Sequence, residues 1–146
     1  MSAPKQARAE PPLRTILLLA LAAFAVALNI RISDPLLAQV AAGFSTTVGR
    51  AAIIVTAFTV GYGLFQLAFG PVGDRFGKYR IAGLLSLAAG LATTSAAFAT
   101  SLSDLTIARF AAGAMSSAVI PLAFAWLGDA IPFERRQAVL ARFLTA

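Results

Sequence analysis

Histidine and cysteine are both absent from this 146-residue sequence. Without imidazole or thiolate groups the chain has no means of building a disulfide, a Cys/His zinc site, a thiol nucleophile or a Ser-His-Asp triad. Charged residues are also scarce, at 12% of the chain against roughly 25% in an ordinary soluble domain. The composition therefore predicts that the protein is not an enzyme and that it holds neither a metal nor a cofactor.

Apolar residues, in contrast, make up 59% of the sequence and gather in four long runs. Each run approaches or exceeds the ~20 residues that an α-helix needs to cross a ~30 Å hydrocarbon core. The runs predict membrane spans at about 15–34, 50–69, 80–99 and 104–128, with a fifth beginning at 137–146. The predicted fold class is an all-α membrane protein, with a polar tail at 1–13 and a partial helix bundle at 14–146. Pro121 is expected to kink the fourth helix.

The net charge of +6 comes from cations that fall in bursts between the apolar runs. They do not form one basic face with interleaved aromatic residues, so nucleic acid is not an expected partner. Most of them lie on one side if the N-terminus is cytoplasmic, as the positive-inside rule requires. The sequence thus predicts an integral, multi-pass protein of the plasma (inner) membrane with a cytoplasmic N-terminus. A secretory signal is the weaker alternative for the first run, because three more runs follow.

The segment GPVGDRFGKYR, Gly70 to Arg80, places glycines, an aspartate and three cations between the second and third runs. We predict a cytoplasmic loop, because its glycines permit positive φ or a close backbone approach at a tight turn. Its cations can pair with its own aspartate or with a second one that follows the fourth run. The residues concerned are Gly70, Gly73, Asp74, Arg75, Gly77, Lys78, Arg80 and Asp129. The alternative is that these are ordinary positive-inside charges.

This segment resembles the signature G-x-L-A-D-R-x-G-R-K of the major facilitator superfamily, which lies between the second and third helices. Gly73 replaces the usual alanine, and Tyr79 stands where a second basic residue is common. Arg109 to Ala114 likewise resembles the family segment R-x-x-Q-G-x-G of the fourth helix, with Ala112 in place of the glutamine. The residues that follow Asp129 resemble the family's next cytoplasmic loop.

The resemblance implies a major-facilitator-type helix bundle, of which this chain is a truncated N-terminal half. It implies a secondary transporter that works by alternating access, with proton-coupled efflux of drugs or metabolites as the expected activity. The expected partners are the lipid bilayer, a small-molecule substrate, protons and a C-terminal transporter half. The eight residues named above then form a conformational latch, which we call the latch cluster. The alternative is a self-contained four-helix membrane protein that acts as a structural or assembly partner, or as an oligomeric small exporter.

Polar residues within the spans are candidate substrate or proton sites, because charge inside a membrane is costly and usually functional. Arg31 and Asp34 lie three residues apart near the outer end of the first span, where they form either a surface ion pair or a proton site. Arg109 either reaches the membrane interface or faces a central cavity, and the family's matching arginine is linked to proton coupling. Tyr62 and Gln66 lie four residues apart on the second helix, where they can line a polar cavity, although Gln66 can instead bond another helix.

Small residues in the fourth helix have a simpler interpretation. Gly113 and Ser117 lie four residues apart and form a small-residue stripe, which allows a neighbouring transmembrane backbone to approach closely. We therefore predict that they serve helix packing and do not contact substrate.

Overall fold

A computed structural model describes residues 13–131 and residue 141. The predicted tail, the residues directly after Ile131 and most of the predicted start of a fifth span lie outside the described residues. The described part is all-helical, as predicted, and contains no strand. Its elements are α1 Leu13–Arg31, α2 Leu37–Gly43, α3 Val48–Ala51, α4 Ile53–Phe76, α5 Lys78–Ser95, a 3₁₀ turn Ala96–Phe98, α6 Leu102–Ser116 and α7 Val119–Ala130.

Within the described residues, four helical segments are long and apolar enough to cross a membrane. They are Leu13–Arg31, Val48–Phe76, Lys78–Phe98 and Leu102–Ala130. Helices of this kind satisfy their own backbone hydrogen bonds, which lipid cannot do for them. The protein is therefore an integral, multi-pass membrane protein. Successive spans run in opposite directions, so one end of the bundle carries the turn at Gly77 and the other carries the turn at Ser101; we call these the Gly77 end and the Ser101 end.

The structure corrects the predicted loop from Gly70 to Arg80. Helix α4 continues through Phe76 and contains Pro71, although proline removes a backbone donor and usually ends or bends a helix. Only Gly77 lies outside a helix, with a φ of 97° that suits glycine, and its N–H donates to the carbonyl of Gly73 at 3.0 Å. The turn between the second and third spans is therefore a single residue, and Gly73 belongs to the helix before it.

The fourth span is broken in the middle, as Pro121 led us to expect. Ser117 and Ala118 lie between α6 and α7, and the N–H of Ser117 bonds to Ala114 at 3.4 Å. The ring of a helical proline clashes with the carbonyl four residues earlier, which here belongs to Ser117. The neighbours change across the break, since α6 packs mainly on α4 and α7 packs on α1, while both helices contact α5.

The core lies between α1, α5 and α7. Its largest buried members are Leu19, Val26, Leu85, Val119, Leu122 and Leu127. Leucines on the opposite face of α1, such as Leu17 and Leu21, stay exposed. In a membrane this is the expected arrangement, because lipid-facing residues are as apolar as the residues of the core.

Helices α4 and α6 make the closest backbone approach. A methyl group added at Gly113 would overlap the carbonyl of Phe58, and one added at Gly61 would overlap the carbonyl of Phe110. At each of the two glycines, the backbone of the other helix occupies the space that a side chain would need, so neither position has room for one. This is the small-residue packing that lets transmembrane helices touch without a hydrophobic driving force.

Candidate functional site

Arg109 is the most deeply buried charged residue in the described part of the chain, with 4% of its surface exposed. One guanidinium nitrogen, Nη1, donates to Oδ1 of Asn29 at 2.6 Å, and the other, Nη2, donates to the backbone carbonyl of Asn29 at 2.9 Å. The guanidinium also lies over the ring of Phe58, 4.4 Å from its centroid. Two hydrogen bonds and a cation–π contact therefore hold the cation between spans one, two and four.

Asn29 extends this network to the third span. Its amide nitrogen donates to the hydroxyl of Thr93 at 2.6 Å, and that hydroxyl donates to the carbonyl of Ala89 at 2.8 Å. Every donor in the series points the same way, from Arg109 through Asn29 and Thr93 to a backbone carbonyl. The chain of bonds fixes the orientation of the amide and stabilises a positive charge at its start.

Arg109 has no carboxylate within ion-pair distance in the described residues. Its Nε atom is buried and has no hydrogen-bond partner there. Asp34 forms its ion pair with Arg31 and not with Arg109. Arg109 is thus buried among spans one, two and four, and its facing a central cavity stays a prediction.

Lys78 is the centre of the latch cluster at the Gly77 end. Its ammonium lies 2.5 Å from Oδ2 of Asp129 and 3.3 Å from Oδ1 of Asp74. Asp74 belongs to the last turns of α4 and Asp129 to the last turn of α7, so one lysine joins the second, third and fourth spans. The side chain of Lys78 is 22% exposed, while the two carboxylates are 69% and 66% exposed. Water therefore reaches both ion pairs at their carboxylate groups.

The other cations of the latch cluster play different parts. Arg75 lies over the ring of Phe76, 5.5 Å from its centroid, and Arg80 is exposed. Neither forms an ion pair with a described residue. Gly73 touches Leu122 of α7, because a methyl group there would overlap that side chain, while Gly70 has open space around it. The cluster therefore depends on Lys78, with Gly73 allowing α7 to lie close by.

At the opposite end, Arg31 and Asp34 form an ion pair of 3.6 Å. Their side chains are 82% and 46% exposed, so water reaches both partners. Exposed pairs contribute little to stability. The geometry leaves the carboxylate of Asp34 free to meet a solute from the Ser101 end.

The remaining predicted positions lie along α4 and α6. Tyr62 is half-buried, stacks on Phe58 with 6.2 Å between ring centroids, and packs against the core. Gln66 is exposed and makes no hydrogen bond within the described residues. That Tyr62 and Gln66 line a polar cavity stays a prediction. Ser117 is fully buried, and its hydroxyl donates to the carbonyl of Ala114 at 2.7 Å.

Sequence reasoning missed Asn29, which accepts both hydrogen bonds of Arg109, and Thr93, which in turn accepts from Asn29. They are separated by 64 residues, and Asn29 is 80 residues from Arg109, so no local spacing connects them. The available signal was their polarity, since each is a strong hydrogen-bonding residue inside an apolar run.

Buried charge, a bridging lysine and four apolar spans define a polytopic membrane protein with polar networks inside its bundle. The sequence model described as Major Facilitator Superfamily matches residues 19–146. The chain belongs to the Major Facilitator Superfamily, and therefore to the membrane transporters. Searches of curated proteins and of solved structures found no match.

Proposed function

We propose that this chain is the N-terminal part of a secondary transporter that exports drugs or metabolites in exchange for protons. The carrier alternates between two conformations, and a C-terminal half faces this one across the substrate path. The N-terminus lies in the cytoplasm and the carrier resides in the plasma (inner) membrane. Membership of the family and the cation distribution support this proposal.

The observation that carries the mechanism is the double ion pair of Lys78. One ammonium holds carboxylates from α4 and α7, so the ends of three spans move together while it is intact. Because the acidic partners are wet, the pairs can break without burying an unpaired charge. Within the latch cluster, we assign Lys78, Asp74 and Asp129 the role of favouring one conformation over the other.

Arg109 supplies the second part of the mechanism. A cation held by neutral acceptors lowers the cost of bringing a carboxylate or a deprotonated group into the bundle. Asp34 follows Asn29, the residue that holds Arg109, by five residues, so protonation of Asp34 would remove a negative charge from this end of the first span. We therefore assign Asp34 as the proton site and Arg109 as the residue that senses its charge.

The test uses the complete carrier reconstituted in liposomes, with ethidium as the transported probe and an enclosed pH-sensitive dye. An imposed pH gradient should drive ethidium movement with counter-movement of protons. Lys78→Met should reduce the rate at least fivefold without reducing the amount of inserted protein. Arg80→Met is the matched control, because Arg80 is exposed and forms no ion pair in the described structure.

Two results would contradict the proposal. Equal transport by Lys78→Met and Arg80→Met would remove the latch role. A carrier that moves neither ethidium nor a wider panel of neutral and charged compounds against empty liposomes would contradict proton-coupled export. In that case stable homo-oligomers of the four-span chain would favour a structural or assembly role.

A further inference from the structure

A groove of about 360 Å³ lies between α1 and α5, and Ser116 of α6 forms part of its lining. We propose that this groove binds a small neutral amphipathic molecule, with an apolar body and one hydroxyl, amide or carbonyl group. The groove lies inside this half of the bundle, between spans one and three. The inference concerns binding at this groove and stands apart from the proposed transport activity.

Ser116 provides the first line of evidence. It is fully buried, and its hydroxyl has no hydrogen-bond partner within the described residues. Serines in helices usually satisfy themselves by donating to a carbonyl of the preceding turn. Ser86 and Ser117 both do so, at 2.8 Å and 2.7 Å. The hydroxyl of Ser116 is therefore held as an uncommitted donor and acceptor in an apolar setting, where an unmet hydrogen bond is costly.

The other polar groups of the groove set the chemistry of the occupant. The hydroxyl oxygen of Ser86 can accept a hydrogen bond from a ligand, because the hydroxyl hydrogen is donated to the carbonyl of Ala82. The amide of Asn29 gives one of its two hydrogens to Thr93 and keeps the second. Among the described residues, no charged side chain lines the groove, so an ionic ligand would find no counter-charge from them.

The walls and the size of the groove account for the apolar body. Val26 and Leu28 of α1, with Ile32 just after it, line the side opposite the polar groups of α5. One water molecule takes about 30 Å³, so a single bridging water would leave most of this space unfilled. Ligand pockets generally span about 300–1,000 Å³, which places this groove at the small end and favours a compact, one- or two-ring molecule.

The absence of cysteine makes a direct test possible, because any introduced cysteine is the only thiol. We would place Ser116→Cys in the chain, reconstitute it in lipid nanodiscs, and measure its labelling rate with N-ethylmaleimide, a small neutral reagent. Ser117→Cys is the matched control, since Ser117 is equally buried and does not line the groove. We expect Ser116→Cys to react at least tenfold faster.

Occupancy is then tested with 1-naphthol as the probe. It should slow the labelling of Ser116→Cys at least threefold, while naphthalene-1-sulfonate, the same ring system with an anionic group, should not. Leu91→Cys controls for effects of 1-naphthol on the bilayer, because Leu91 is 66% exposed and lies outside the groove. Its labelling rate should not change.

A second labelling position keeps the test valid if Ser116→Cys does not fold. Ala25 is exposed and lines the groove, and Ala25→Cys changes its size little. Adding Ser116→Ala to Ala25→Cys should raise the concentration of 1-naphthol for half-protection about fivefold, which is the loss of one hydrogen bond of ~1 kcal/mol.

Three results would overturn the proposal. Labelling of Ser116→Cys as slow as that of Ser117→Cys would mean that the groove is closed by another part of the protein. Fast labelling that 1-naphthol does not slow would mean that the groove is open but binds no such molecule. Equal protection of Leu91→Cys would mean that 1-naphthol acts through the lipid alone.

Discussion

The glycine contact between α4 and α6 allows the most direct prediction of stability. Gly113→Ala places a methyl group against the carbonyl of Phe58, and backbone atoms cannot rotate away from it as a side chain can. The two helices must separate locally by about 1 Å to restore normal contact, which is the kind of overpacking that costs ~1–3 kcal/mol. Alanine also favours a helix over glycine by up to ~1 kcal/mol, which offsets part of this loss.

Gly63→Ala is the control that separates the steric cost of the added methyl group from the gain in helix propensity. Gly63 lies on the same helix as Gly61 but has nothing within 4 Å of an added methyl group, so only the gain in helix propensity remains. We expect Gly113→Ala to lower the free energy of unfolding by ~1–3 kcal/mol relative to Gly63→Ala. The assay is equilibrium unfolding of the purified chain in mixed micelles with increasing dodecyl sulfate, followed by far-ultraviolet circular dichroism.

Gly61→Ala supplies an internal check on the same interface. Because Gly61 and Gly113 both lie where α4 contacts α6, a single local separation of these two helices relieves both overlaps. The double variant should therefore lose less stability than the sum of the two single variants. A Gly113→Ala chain as stable as Gly63→Ala would refute the close approach of α4 and α6.

Three further substitutions test separate features. Asn29→Ala removes the side-chain acceptor of the buried arginine, and we expect a loss of ~1.5–3 kcal/mol in the same unfolding assay, the range for a hydrogen bond to a charged group. Asp34→Asn should change stability by less than ~0.5 kcal/mol because its ion pair is exposed, yet abolish proton-coupled movement of ethidium in the complete carrier. Ser101→Ala removes the N-cap of α6, where the serine accepts from a backbone N–H at 3.1 Å, and should cost ~1 kcal/mol.

Two of these substitutions have a control variant. Thr94→Ala removes a hydroxyl next to Thr93 that bonds only to its own helix, so it should cost less than Asn29→Ala. Ser103→Ala changes an exposed serine that caps nothing, and a loss equal to that of Ser101→Ala would contradict the cap. Proton-coupled transport that survives Asp34→Asn would refute its assignment as the proton site.

The four spans and the all-helical fold were predictable because hydrocarbon imposes one simple rule on sequence, a run of about 20 apolar residues. The glycines and charged residues of the segment Gly70 to Arg80 also located the turn that lies at the Gly77 end. The loop from Gly70 to Arg80 was wrong because its glycines and charges were taken to mark a longer turn, whereas α4 continues through Pro71 to Phe76. In a membrane protein, packing against neighbouring helices can hold a proline within a helix, and Gly73 allows this contact with Leu122.

The hydrogen-bond network of Arg109 was less predictable from the sequence, because its members come together only in the folded structure. Arg109 was identified because a lone cation in an apolar run is unusual. Its two acceptors both belong to Asn29, and nothing in the spacing of the sequence connects these residues. Lys78 differs, because the sequence offered Asp74 and Asp129 as partners for the cations of this segment, and the structure shows that Lys78 bonds to both.

The contact between Tyr79 and Trp126 gives this protein its own optical reporter. Trp126 is the only tryptophan in the sequence, and its ring lies 5.9 Å from that of Tyr79, the residue next to Lys78. At that separation the tyrosine transfers its excitation to the indole almost completely. Only a wide separation of α5 from α7 restores tyrosine emission, but a change in the surroundings of Trp126 shifts the indole spectrum, so opening of this end can be followed in real time without attaching a dye.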